Sequence, residues 1–303
     1  MNEVVLSTRR DLYREVTEKI VAAMEGGAGQ FMMPWHGGIV PPLLPTNAAT
    51  GKPYRGVNVV TLWAEATIKR YISGHWASYR QWQELGAQVR KGQRGTLIVF
   101  YKKLDPEPGL LEGEENASPP RFVARPWHVF NAEQVDGWQP PIPEIQSRVE
   151  IDEQVAAFVA ATGAEVRHGA HAACFRRDLD RIDMPSPELF IGTGTSSPTE
   201  AYHAVLLHEL VHYSGGPGRL EREFGKRFGD RAYAFEELIA ELGAAFLCSA
   251  FRIVNEPRPD HAKYLSSWLA ILDDDKKAVF TAASKAQEAV EYLTALAASA
   301  RTH

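Results

Sequence analysis

Cysteine is scarce in this chain: Cys174 and Cys248 are the only two among 303 residues, and they form no C-x-x-C pair. A disulfide framework is therefore excluded, and both thiols are expected to be buried among small or apolar neighbours. No apolar run approaches 18 residues, so no membrane-spanning helix is expected. Residues Met1 to Arg10 lack an apolar stretch followed by a cleavage site, so no secretory leader is expected. With so little cysteine, a reducing cytoplasm is the expected location. Internal repeats and low-complexity tracts are also missing. What remains is ordinary globular composition, 45% hydrophobic and 23% charged, at a length that allows two domains.

Charge is unevenly distributed. Through Lys103 there are 14 Lys/Arg against 7 Asp/Glu, a balance of +7; the remaining 200 residues carry 19 against 31, a balance of −12. A basic first third joined to an acidic remainder suggests a nucleic-acid-binding module fused to something else. Within that first third, aromatic and basic residues interleave. Trp35 comes first, then Lys52, Tyr54, Arg55 and Asn58 around a Gly-rich turn, then Trp76, Tyr79 and Arg80. Arg90, Lys91 and Arg94 follow in a glycine-bearing segment, and Lys102 closes the set. Cations for phosphate and flat rings for unpaired bases suit single-stranded DNA, with no strong base preference. No segment reads as a recognition helix for duplex DNA.

The elements can be placed coarsely. Leu12, Val16, Ile20 and Met24 repeat every four residues, predicting an amphipathic helix over 7–25. Further helices are expected over 59–71, 79–85 and 151–162, with strands at 96–101 and 122–130 forming a hairpin around an acidic, Pro-rich insertion. Domains are expected at 1–138 and 148–303, joined by a Pro-rich linker at 139–147.

The sharpest pattern is His208-Glu209-Leu210-Val211-His212. On a helix the two histidines lie one turn apart on one face, where one metal ion can take both. Glu209 falls off the ligand face, where a general base for hydrolysis belongs. A third ligand is needed. The next helical stretch, 232–249, places Phe235, Leu238, Ile239, Leu242 and Phe246 on one apolar stripe and Glu237 and Glu241 on the other side. Glu237 is read as the third ligand and Glu241 as the carboxylate holding a ligand histidine, with the reverse assignment open. Glu236 lies off that face and is expected to be solvated. Zn²⁺ suits these ligands best, and Mn²⁺ or Co²⁺ are also admitted. A short strand is expected over 180–185; a plain structural role is the preferred reading, and an edge strand bordering the cleft the alternative. Tyr202, His203 and Tyr213 are candidates for oxyanion stabilisation, although helix packing is the preferred role for them.

Several blocks together resemble the ArdC family of plasmid antirestriction proteins. They are residues 45–58, 76–81, 86–92 and 129–134, and the pentad with 237–243, all in family order. The front module is also similar to that of TraC-type plasmid primases, whereas the H-E-x-x-H pentad argues against a primase. The resemblance implies an α+β fold: an N-terminal α+β single-stranded-DNA-binding domain, then a mainly helical zincin-like domain with a small sheet. It implies protection of incoming plasmid DNA from host restriction during conjugation, and leaves open transfer to the recipient cell with that DNA. Two uses of the metal domain remain: DNA binding that needs no catalysis, or a zinc metallopeptidase acting on a restriction enzyme or another host protein.

Overall fold

In the computed structural model, helices and short strands alternate through the first half, and helices dominate the second. The structure describes residues 11–27, 33, 36, 43–103, 122–141, 148–193, 195–225, 231–255 and 261–300. Helix α1 (Leu12–Gly27) buries Val16, Ile20 and Met24, the stripe expected from their four-residue spacing. Helix α2 (Val57–Lys69) follows Gly56, whose φ of 56° suits a residue without Cβ. A four-stranded sheet has the order β1 (Thr46–Asn47), β2 (His75–Ala77), β5 (Phe122–Asn131), β4 (Thr96–Lys103). Strands β1 and β2 are parallel, the other pairs antiparallel, and the long hairpin sets Ile98 opposite Trp127 and Phe100 opposite Arg125. Helix α3 (Tyr79–Glu84) starts in a capping box between Ser78 and Gln81 and leads into β3 (Gln88–Val89), which pairs with β6 (Val135–Asp136).

The second half opens with α4 (Arg148–Ala161) and a three-stranded sheet, β7 (Glu165–His168), β9 (Arg181–Met184) and β8 (Cys174–Arg176) in that order. Four helices complete it: α5 (Pro198–Ser214), α6 (Arg231–Phe251), α7 (His261–Asp274) and α8 (Ala278–Ala300). Helix α5 begins at a Ser197–Glu200 capping box with Pro198 in its first turn, so its start is set locally.

The strand at 180–185 is the central one of its sheet, and the strand bordering the cleft is β8, one step further out. One expectation is corrected here. Cys248 is buried as expected, but Cys174, on β8, is exposed.

The largest core runs through both halves. It joins Ile20 and Met24 of α1, Val60 and Trp63 of α2 and Ile98 of β4 to Leu242 and Phe246 of α6, Trp268 of α7 and Phe280 of α8. Trp63 meets Phe246 with ring centroids 5.7 Å apart. The buried indole N–H groups are satisfied: Trp63 donates to Leu43 O, Trp82 to Phe130 O and Trp268 to Ala234 O, each at 3.0 Å. This core thus crosses the expected 139–147 linker, of which residues 142–147 lie outside the described set. A second core, built on Leu206, Leu207, Leu210 and Val211 of α5 with Ile182 and Met184 of β9, backs the histidine helix.

Candidate metal centre and basic aromatic face

Helices α5 and α6 meet at Gly243, where an added Cβ would lie 2.9 Å from both methyl carbons of Val211. This close approach brings one face of α6 against the histidine face of α5. His208 Nε2 and His212 Nε2 lie 3.2 Å apart, and Glu237 faces both, with Oε2 3.5 Å from His208 Nε2 and Oε1 3.5 Å from His212 Nε2. All three side chains are buried. Bonds of about 2.0–2.1 Å at tetrahedral angles separate ligand atoms by about 3.3–3.5 Å, and one donor atom from each of the three residues lies within 4.8 Å of the others, so the group can close on a zinc-sized ion.

Each histidine is backed by a glutamate of α6. His212 Nδ1 lies 3.1 Å from Glu236 Oε1, which holds a proton on Nδ1 so that in the neutral ring the Nε2 lone pair faces Glu237. His208 Nδ1 lies 3.6 Å from Glu241 Oε2. Glu236 is the principal correction: far from solvated, its side chain is 2% exposed and is held by a buried arginine, Arg222. The guanidinium also donates to Val211 O at 2.6 Å and Ser214 Oγ at 3.0 Å, tying the end of α5 to α6. The sequence did carry a signal for this: α6 is apolar or small all round apart from its glutamates, so those glutamates are buried with it.

The electrostatics follow. Burial opposes the His212 cation, but hydrogen bonds and charge from Glu236 and Glu237 outweigh it and push the imidazole up to about 10. Burial likewise opposes ionisation of Glu237, and the two histidines outweigh it, holding the carboxyl well below the usual range. Glu236 is lowered in the same way by His212 and Arg222 against its burial. Glu209 points elsewhere: its Oε2 accepts the Phe175 backbone N–H at 2.8 Å, clamping it to β8. A cavity of about 650 Å³ is lined by His208, Glu209, His212 and Glu237, with Cys174, Phe190 and Tyr233 among its walls. Of the oxyanion candidates, Tyr202 is bonded to His168 at 2.9 Å, and Tyr213 lies beneath Arg219, 3.8 Å from ring centroid to guanidinium carbon. His203 faces Asp152 at 3.4 Å, so all three serve packing. Tyr233 and Tyr264 are the tyrosines that line the cavity, with their hydroxyls 3.3 Å apart.

The expected DNA contacts separate into three groups. Trp76 is 1% exposed and Tyr54 is buried beside it, with Tyr54 Oη 3.3 Å from Trp76 O. Neither ring can stack on a base. Asn58 pairs with the Val99 backbone in both directions, at 2.9 and 2.8 Å, pinning α2 to β4. A second group is exposed but engaged: Arg55 with Glu291, Arg80 with Glu84, and Arg90 with Asp136 and Glu133 O. Lys52, Tyr79, Lys91 and Arg94 are exposed. Trp35 and the Lys102 side chain lie outside the described residues.

Sequence reasoning missed Trp127, one ring of a further aromatic pair. Phe100 and Trp127, 51% and 54% exposed, meet edge to face across the β4–β5 hairpin at 6.5 Å. Arg125, opposite Phe100, is exposed beside them. The alternation of the hairpin carried the signal, since Ile98, Phe100, Trp127 and Arg125 share one face that leaves the core as the strands extend.

Comparison with known proteins gives a consistent picture. Residues 10–130 match the N-terminal domain of anti-restriction factor ArdC, and residues 153–285 match a zincin-like metallopeptidase family. An uncharacterized protein of Sinorhizobium fredii is 44% identical over 291 residues, covering 95% of this chain and 93% of that protein. Crystal structures of antirestriction protein ArdC from plasmid R388 superpose with TM-scores of 0.74 (metal-free) and 0.73 (Mn(II)-bound). Their sequence identities are 37% and 36%, and this chain covers 99% of each. A DNA primase TraC of Escherichia coli is 32% identical over 301 residues, 95% of this chain but 27% of that protein. The primase likeness therefore runs through the second half of this chain as well as the front module.

Proposed function

The chain belongs to the ArdC family of antirestriction proteins and carries a zincin-like domain, and from that premise we propose that it binds single-stranded DNA and shields incoming plasmid DNA from restriction during conjugation, with one divalent metal held by His208, His212 and Glu237. One observation carries the metal part: the buried group of His208, His212 and Glu237, with the histidine nitrogens 3.2 Å apart, a Glu237 oxygen 3.5 Å from each, and a glutamate behind each histidine. Two imidazoles and one carboxylate suit Zn²⁺ and also admit Mn²⁺ or Co²⁺. For DNA, the reading rests on Phe100, Trp127 and Arg125, with Tyr79, Lys91 and Arg94 exposed in the same half. Rings stack on bases while the cations neutralise phosphates.

A second reading is favoured by the placement of Glu209. Its carboxylate borders the same cavity as the ligand triangle and is oriented by the Phe175 N–H, as a general base for peptide hydrolysis would be. When bound, the metal supplies Lewis acidity and lowers the pKa of water at the site. The substrate would then be a restriction enzyme or another host protein, with DNA as scaffold.

Glu209→Gln separates the two, because it leaves the ligands intact and removes the base. Transfer of an unmodified plasmid into a restricting host is scored for wild type and variant, beside metal content and binding to single and double strands. Full protection by the variant means that proteolysis is not required. Lost protection with metal and DNA binding intact selects the peptidase. A wild-type protein that takes up no divalent metal, or prefers duplex DNA, overturns the corresponding part of the first reading.

A further inference from the structure

His36 lies in a Pro- and Gly-rich stretch of the sequence, and its side chain is 0% exposed and reaches helix α6. Met33 N donates to His36 Nδ1 at 3.0 Å, so Nδ1 carries the lone pair and Nε2 the proton. His36 N donates back to Met33 O at 2.9 Å, and Met33 is itself buried in the large core. The imidazole is thus held by a short anchored turn. Its Nε2–H donates to Glu241 Oε1 at 2.8 Å, while Oε2 of the same carboxylate lies 3.6 Å from His208 Nδ1. His36 and the ligand histidine His208 therefore face the two oxygens of one buried carboxylate.

A carboxylate 2% exposed must be matched by donors. With Oε1 held by His36, Oε2 lies 3.6 Å from His208 Nδ1, beyond hydrogen-bond length, and is the oxygen placed to orient that ring when its Nε2 takes a metal. Resting on the metal reading above, we infer that His36 is a positioning residue of the metal centre, through which the N-terminal half of the chain sets the metal affinity of the C-terminal half. The centre is then built from both sides of the 139–147 segment. His212 needs no such help, since Glu236 and Arg222 orient it from within the second half.

Two amide substitutions in the full chain divide the roles of the ring. In His36→Gln the amide nitrogen falls near the position of Nε2 and can still donate to Glu241. In His36→Asn the amide sits near Nδ1, so the link to Met33 survives and the link to Glu241 is lost. Zn²⁺ affinity is measured by competition with a chromogenic chelator, and the visible spectrum of the Co²⁺-loaded protein reports ligand geometry. His36→Asn should bind about 10- to 100-fold more weakly with a shifted Co²⁺ spectrum, and His36→Gln should stay close to wild type in both. Glu241→Gln, which leaves His36 in place, should lose as much, and the double variant His36→Asn/Glu241→Gln no more than either alone. Metal affinity unchanged in His36→Asn, equal loss in both His36 variants, or additive losses in the double variant would overturn the inference. Absence of metal binding in the wild type would overturn the metal reading together with it.

Discussion

Arg222 grips Glu236 with two guanidinium nitrogens, Nη2 to Oε1 at 2.9 Å and Nε to Oε2 at 3.0 Å, and both side chains are 2% exposed. The pair lies directly behind His212, so it joins folding energy to the metal centre. Arg222→Met would leave Glu236 ionised in a dry site beside His212 alone. Removing one partner of such a pair costs about 3–5 kcal/mol. Urea denaturation in the presence of a chelator should show that loss. Arg222→Met/Glu236→Gln should recover much of it, because the stranded charge is gone.

The protonation of His212 gives a pH signature. In the metal-free protein its pKa is raised to about 10, against burial, by Glu236 and Glu237. The unfolded value is near 6.5, so this contribution to stability is fully present below about pH 6.5. It fades as pH rises and is lost through about pH 10. Metal needs the neutral ring, so uptake near neutral pH should release about one proton and tighten as pH rises. Calorimetric titrations in two buffers of different ionisation enthalpy measure the release. Uptake without proton release would mean that the ring is already neutral.

Helix spacing sets the ligand triangle. Gly243→Ala would gain about 1 kcal/mol in helix propensity, but its Cβ would lie 2.9 Å from both Val211 methyls. Val is held in one rotamer on a helix and cannot swing aside. Overpacking costs about 1–3 kcal/mol, so the clash should win. Gly243→Ala should lower both melting temperature and metal affinity, and Val211→Ala should restore them. A variant as stable as wild type would show that α5 and α6 tolerate a wider separation.

The exposed and the buried tryptophans should behave oppositely. Trp127→Ala and Phe100→Ala should weaken single-strand binding by about 1–3 kcal/mol each with little change in melting temperature. Trp76→Ala opens a cavity and should cost about 3–5 kcal/mol of stability. Arg125→Ala with Lys91→Ala should flatten the salt dependence of binding. Fluorescence anisotropy with a labelled oligonucleotide, alongside thermal melts, separates the two kinds of loss. Unchanged binding in the Phe100/Trp127 double variant would remove this face from the DNA reading.

Local periodicity determined much of this protein. The i, i+4 histidines, the 100° step that set Glu237 and Glu241 opposite an apolar stripe, the capped start of α5 and the β4–β5 hairpin depend on residues a few positions apart. Their geometry follows from helix and strand repeats alone. The α+β class was implied by the resemblance to the ArdC family, not by these repeats.

Tertiary packing decided the rest. Whether Trp76 or Trp127 is buried depends on which part of a strand or helix lies over the shared core. A hydropathy pattern cannot state that when aromatic residues are scattered throughout. Glu236 was read as solvated because its face was judged from α6 alone, whereas Arg222 and His212 arrive from other segments to pair with it. His36 is more remote still, 205 residues from its partner Glu241. Only the folded chain brings that imidazole to the carboxylate, because a long-range contact between buried polar groups leaves no periodic trace in the sequence.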